Sequence, residues 1–195
     1  MKTYFTVAWF IVASIAHADE GIAVKAASGR FVVTQEYQGD RAKGEGEFVE
    51  AIRYRDAAFP VVRLLGKPWP GDYYISPDEC WMVRIQKIAS GESIGILYRL
   101  ENNGRVSEVL GFDELLWKIS DQTSVLKKAA LFHTQVAAVY WSKNSDVLEV
   151  VLHGSAAASR DGKLESCVTY NLETHKASIK KTKVIPPEGP GAGRS

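Results

Sequence analysis

The stretch Ile75–Val106, ISPDECWMVRIQKIASGESIGILYRLENNGRV, decides how the rest of the chain is organised. From Cys80 to Lys87 it sets Trp81, Val83 and Ile85 on one face and Met82, Arg84 and Gln86 on the other, the period of two of a half-buried strand. Ile94, Ile96, Tyr98 and Leu100 then alternate with Gly95, Leu97, Arg99 and Glu101, and Ser90-Gly91-Glu92 joins the arms. Asn102-Asn103-Gly104 tolerates positive φ, so the chain turns again before Val106. The segment reads as one long β-hairpin, with Trp81 and Tyr98 as core residues of the paired strands.

The hairpin recurs. Ser142–His153 aligns with Ser76–Lys87 at a constant offset of 66, placing Val147 on Trp81 and Val151 on Ile85. The outgoing arms, Val168–Glu173 and Ile96–Glu101, match at an offset of 72, and the difference of six is a longer hairpin loop, Gly154 to Lys163. Phe31–Tyr37 and Phe48–Arg55 read as a weaker third copy, with Tyr54 in the position of Tyr98. Repeats of this size stack so that each buries its neighbour's apolar face. Between the two clear copies the period changes. Leu115, Leu116, Ile119, Leu126 and Ala130 recur every three or four residues, which predicts an amphipathic helix over 112–131 with Asp113 as N-cap. The polar run Ser120–Ser124 allows a break into two short helices.

Ser76-Pro77-Asp78-Glu79-Cys80-Trp81 resembles the S-P-D-x-x-W start of a blade strand in TolB-like and WD40-like β-propeller repeats, and Trp141-Ser142-Lys143-Asn144-Ser145 resembles the related W-S-x-x-S form. The outgoing segments Tyr98-Arg99-Leu100 and Tyr170-Asn171-Leu172 are similar to the ends of such strands. The copies number fewer than a closed propeller needs, and a helix separates them, unlike propeller blades. The expected fold is therefore mainly β: stacked antiparallel hairpins near 29–55, 75–106 and 136–184, as a propeller-like fragment or a β-sandwich, with one inserted amphipathic helical segment. The resemblance implies a scaffold for binding and no particular chemistry.

Composition bounds the setting. Lys2, an apolar run from Tyr4 to Ile15 and Ala16-His17-Ala18 fit a signal peptide over residues 1–18, its apolar run too short to cross a bilayer. A periplasmic or secreted protein is expected, with one domain over 19–185. Pro186–Ser195 has almost no apolar content and is expected to be a disordered tail. The 24 basic and 23 acidic residues are balanced and form no basic stripe, so nucleic acid is not an expected partner. No later segment predicts a membrane span. Cys80 and Cys167 are candidates for a disulfide in an oxidising compartment, and no ligand spacing for a metal accompanies them. No cofactor motif is present: the glycines of Gly39–Glu47 lack the order of a phosphate-binding loop.

The candidate contact surface is the loop Gly66–Tyr74, GKPWPGDYY, where Pro68 and Pro70 stiffen the backbone around Trp69, and Tyr73 and Tyr74 extend the aromatic surface. These rings fit a ligand-binding role or, equally, a plug over the β core. Among titratable residues, His133 and His153 are candidates for acid–base work with a nearby carboxylate, yet no G-x-S-x-G elbow supplies a nucleophile. Asp72, Asp78, Glu79 and Glu92 lie near turns and are the carboxylates available for pairing. The expected function is a non-catalytic binding protein for an envelope protein or a glycan. The alternative is a small secreted hydrolase using His153 or His133.

Overall fold

A computed structural model describes residues 21–40, 42–156 and 162–185; the leader and the tail expected from the sequence lie outside them. Among the described residues twelve strands form three antiparallel four-stranded sheets, each a meander of consecutive strands. The first holds β1 (Gly21–Lys25), β2 (Phe31–Asp40), β3 (Glu45–Tyr54) and β4 (Val62–Arg63). The second holds β5 (Gly71–Ile75), β6 (Trp81–Ala89), β7 (Glu92–Leu100) and β8 (Val106–Glu108). After the helix α1 (Phe112–Thr123), the third holds β9 (Leu131–Trp141), β10 (Val147–Ala156), β11 (Lys163–Asn171) and β12 (Lys176–Ile185). Consecutive four-stranded meanders are the topology of propeller blades. The fold is thus mainly β and propeller-like, and three sheets replace the two of a simple sandwich.

The repeat is visible bond by bond. Each sheet reaches its second strand through the same turn, closed by Ala26 N–H to Phe31 O at 3.0 Å, Ser76 N–H to Trp81 O at 2.9 Å and Ser142 N–H to Val147 O at 2.9 Å. A left-handed residue occupies the same place in all three: Gly29 at φ 73°, Glu79 at φ 56° and Ser145 at φ 57°. Ser76 and Ser142 act alike, each hydroxyl accepting the N–H of the first strand residue, Trp81 or Val147, at 3.0 Å. That is the physical role of the serine in both motifs. The third copy is real, but its register differs by one from the sequence alignment. Val32 pairs with Arg53 where Met82 pairs with Tyr98 and Leu148 with Tyr170, so Arg53 holds the position given to Tyr54.

Alternation along β6 feeds two cores. Met82, with Tyr98 and Leu100, packs on Phe31, Val33 and Ile52 of the first sheet. Val83, Ile85 and Leu97 pack toward Leu148, Val150 and Leu152 of the third. The second sheet is therefore covered on both faces, and Met82 through Gln86 are all buried, where one solvent face was expected. Tyr98 is buried as expected, while Trp81 is only half-buried, at the end of its strand.

The helix is shorter than its period suggested. It ends at Thr123, where the Ser124 N–H bonds Ser120 O at 3.0 Å and the backbone turns extended; a single 3-10 turn, Lys128–Ala130, follows. Gly111, not Asp113, is the N-cap. Asp113 lies one residue inside the helix and accepts the Gly95 N–H of β7 at 3.0 Å. Phe112, Leu116 and Trp117 are the buried apolar face, filling the space between the second and third sheets.

Cys80 and Cys167 are free thiols and form no bridge. Cys80 sits in the turn before β6 and donates to Asp78 O at 3.5 Å. Cys167 lies on β11 beside the buried Val168, so alternation turns it away from the second sheet, and it donates to Glu149 Oε1 at 3.0 Å. No helix of the described residues is long and apolar enough to cross a membrane.

Candidate functional site

At the hairpin-turn end of β6 and β7 a groove of about 690 Å³ opens between the second and third sheets. Ile85 and Val136 line its apolar part, and Asp72, Lys87, Glu92 and Gln135 add polar groups of both charges. Trp69 forms part of the rim. A second cavity of about 320 Å³ adjoins it, sharing Gln135 and His153 and adding His133, Ser155 and Glu165.

The Trp69 loop is held from below by buried polar groups. Arg84 and Glu50, both with 0% side-chain exposure, form an ion pair between the second and first sheets. Arg84 Nη1 donates to Leu65 O at 3.1 Å, Glu50 Oε1 accepts the Gly71 N–H at 2.7 Å, and Gln35 Nε2 donates to Gly71 O at 2.6 Å. Gln86 Nε2 donates to Trp69 O itself at 3.0 Å. Gly71 is needed here, because a Cβ would come within 2.7 Å of Arg84 Nε. The indole is thus fixed through its backbone, 37% exposed, with Lys87 Nζ 5.3 Å from the ring centroid.

The opposite wall depends on Gly91. At φ +76° it closes the β6–β7 turn, and its bare α-carbon lets the His133 ring lie where a Cβ would meet Nδ1 at 2.4 Å. Gln135 Nε2 donates to Gly91 O at 2.9 Å, and the Ser93 hydroxyl accepts the Val136 N–H at 3.1 Å. Register then sets the adjoining side chains: His153 stands opposite Gln135 and Glu165, and Ser155 opposite His133 and Lys163. His153 Nε2 lies 3.4 Å from Glu165 Oε2, with both side chains almost half exposed.

Of the three aromatic residues expected to form one surface, Trp69 alone reaches the groove. Tyr73 is 8% exposed in the core between the first and second sheets, and Tyr74 packs on the other core. They fall on β5, where alternation sends neighbours to opposite faces of a covered sheet. Asp72 and Glu92 do come together at the groove, whereas Asp78 and Glu79 stand at the other end of the strands. Lys87, Gln135 and the adjoining Glu165 were not singled out from the sequence. The available signal was the even spacing of His133 and Gln135 on β9, and of His153 and Ser155 on β10, which puts each pair on one face. Among the described residues no three His, Cys, Asp or Glu side chains gather as a group able to hold a metal ion.

The arrangement suits a polar ligand with a flat face: a fixed indole at the rim, donors and acceptors of both signs, and an apolar floor. A propeller-like scaffold is the class that the strand order defines. No protein-family model matches the chain, and no curated protein matches it. Solved structures give partial superpositions. An acylaminoacyl peptidase of Pyrococcus horikoshii is 10% identical, with 86% of this chain and 25% of that one covered and a TM-score of 0.49. A periplasmic gluconolactonase of Pseudomonas aeruginosa is 16% identical, over 85% of this chain and 41% of that one, with a TM-score of 0.44. A 6-phosphogluconolactonase candidate of Bacteroides uniformis is 12% identical, over 85% and 41%, with a TM-score of 0.42. The chain therefore spans between a quarter and about two fifths of these proteins' lengths, and the blade-like description rests on its own strand order and register.

Proposed function

We propose that this chain is a non-catalytic binding protein of the periplasm or secreted space, and that its ligand groove is the one between the second and third sheets. The observation that carries the reading is Trp69: an indole at the rim of the groove, its carbonyl held by Gln86 and its loop held by the Arg84–Glu50 pair. A ring held in place loses little entropy on binding, and rigid aromatic anchors are typical hot spots. With Asp72, Lys87, Glu92 and Gln135 around it, the groove fits a glycan better than an apolar ligand. The leader-like residues 1–18 support export. The serine-closed turns before β6 and β10 support kinship with TolB-like and WD40-like repeats.

The test is titration of the mature protein with a panel of soluble envelope-derived oligosaccharides, read by calorimetry, beside the Trp69→Ala variant. Loss of binding in Trp69→Ala with an unchanged melting temperature supports the contact surface. A melting temperature lowered by several degrees with binding intact makes the loop a plug and overturns the proposal.

A second reading, hydrolysis, rests on the His153–Glu165 contact, which matches a base held by an orienting carboxylate. Ser155, the nearest hydroxyl in register, makes no hydrogen bond to either imidazole. Hydrolysis of ester or lactone substrates that is abolished by His153→Ala and unaffected by Trp69→Ala would favour it.

A further inference from the structure

At the opposite end of β6 a different, open cleft of about 440 Å³ is bordered by the start of that strand, the end of β7, the loop into α1 and the turn after β11. Trp81, Phe112, Tyr170 and His175 bring four rings to its walls. Phe112 and Tyr170 meet edge to face at 5.1 Å, and Trp81 meets His175 at 6.3 Å and 70°. The Arg99 guanidinium lies over the Trp81 ring, 5.7 Å from its centroid, with the side chain exposed. Among the described residues lining this cleft none is acidic, and Arg99 is the one arginine or lysine there.

Two further features mark its rim. Leu110 on its lip is 85% exposed, a large aliphatic side chain left in water beside an apolar wall. His175 is held at φ 54°, a left-handed conformation uncommon for a residue other than glycine, and its Nδ1 is 2.8 Å from the Tyr170 hydroxyl. When Tyr170 donates in that bond, Nε2–H remains as the imidazole's donor.

We infer that this cleft is a second binding site, separate from the Trp69 groove, and that it takes small amphipathic anions: a carboxylate on a short alkyl or aromatic body. The body lies between Trp81, Phe112 and the Leu110 lip, and the carboxylate meets Arg99, with His175 as a further donor. Arginine matches a carboxylate with two parallel N–H donors, and that contact separates an anion from a neutral molecule of the same shape.

The probe is octanoate, with octan-1-ol and octylammonium as neutral and cationic controls, titrated into the full chain by calorimetry and ligand-observed NMR. Octanoate binds the wild type. Arg99→Gln, which leaves an exposed position exposed, weakens that binding about tenfold or more. His175→Asn, a side chain that tolerates the left-handed conformation, weakens it less, and Trp69→Ala leaves it unchanged. Octylammonium does not bind. Binding of octan-1-ol as tight as that of octanoate, unaltered affinity in Arg99→Gln, or no octanoate binding at all overturns the assignment. Because the glycan titration reads a different groove through Trp69, each result stands or falls without the other.

Discussion

Glu79, the left-handed residue of the turn before β6, reaches back to the corresponding turn of the first sheet: Oε1 accepts the Ser28 N–H at 2.7 Å and Oε2 the Ser28 hydroxyl at 2.6 Å. On the other side Asp78 N–H donates to Ser145 Oγ at 3.0 Å, in the matching turn of the third sheet. The repeated turns are thus linked in a row at one end of the strands. Burial of Glu79 works against its charged form, but the Ser28 bonds and the nearby Arg30 outweigh it and hold the carboxyl below its usual range.

That shift has a sign. A carboxylate depressed in the folded state contributes stability that is fully present above its unfolded value, about 4.3, and is lost as pH falls through the lower folded value. Wild type should therefore be more stable than Glu79→Gln at pH 7, with the gap closing as the pH drops below about 4. Denaturation midpoints across that range check it; a gap that widens on acidification would show that the Ser28 bonds do not favour the charged form.

Arg84 and Glu50 form the ion pair with 0% exposure on both sides, so removing one partner strands the other. Arg84→Met should lower stability by about 3–5 kcal/mol, and adding Glu50→Gln should recover part of it by removing the unpaired charge. Leu65 O also loses its donor, so ligand affinity at the Trp69 groove should fall in Arg84→Met even at temperatures where the protein remains folded. Equal stability of single and double variants would mean that the pair is not coupled.

The Cys167 thiol is pushed up to about 11, first by burial and then by its hydrogen bond to Glu149, since a thiolate would face that carboxylate. At pH 8 only about one part in a thousand is then thiolate, so iodoacetamide should label Cys167 slowly, with a rise of about tenfold per pH unit toward 10. Mass mapping of the adducts measures this. A non-reduced peptide joining Cys80 to Cys167 would contradict the free thiols of the structure.

The hairpins were legible because their alternation is local: each arm of Ile75–Val106 and its copy at Ser142 carries its own period. What sat on the far side of each strand was not. Arg84 and Gln86 look like a solvent face, yet another sheet covers them, and their partners are Glu50 from β3 and loop carbonyls at Leu65 and Trp69. The same blindness sent Tyr73 and Tyr74 to the surface, because β5 is five residues long and its two faces feed different cores. The register of the weakest copy slipped because Tyr54 resembles Tyr98 in kind, whereas position is set by the bond from Arg55 N–H to Arg30 O. Proline punctuation marks the Trp69 loop in the sequence, but the groove beside it is built with Gly91, Gln135 and His153 from three separate strands or turns.

The sandwiched second sheet also imposes an order of assembly. Its strands emerge, from the ribosome or from an export channel, after the first sheet and before the third, so one face has a partner waiting and the other does not. Until β9–β12 and α1 arrive, Val83, Ile85 and Leu97 have nothing to cover them, and this interval is when the nascent chain is most exposed to aggregation and to capture by chaperones. A chain stalled or truncated near Glu108 should be recovered as an insoluble or chaperone-bound species, and substitutions that weaken α1 should lower the yield of soluble protein more than they lower the melting point of what is recovered.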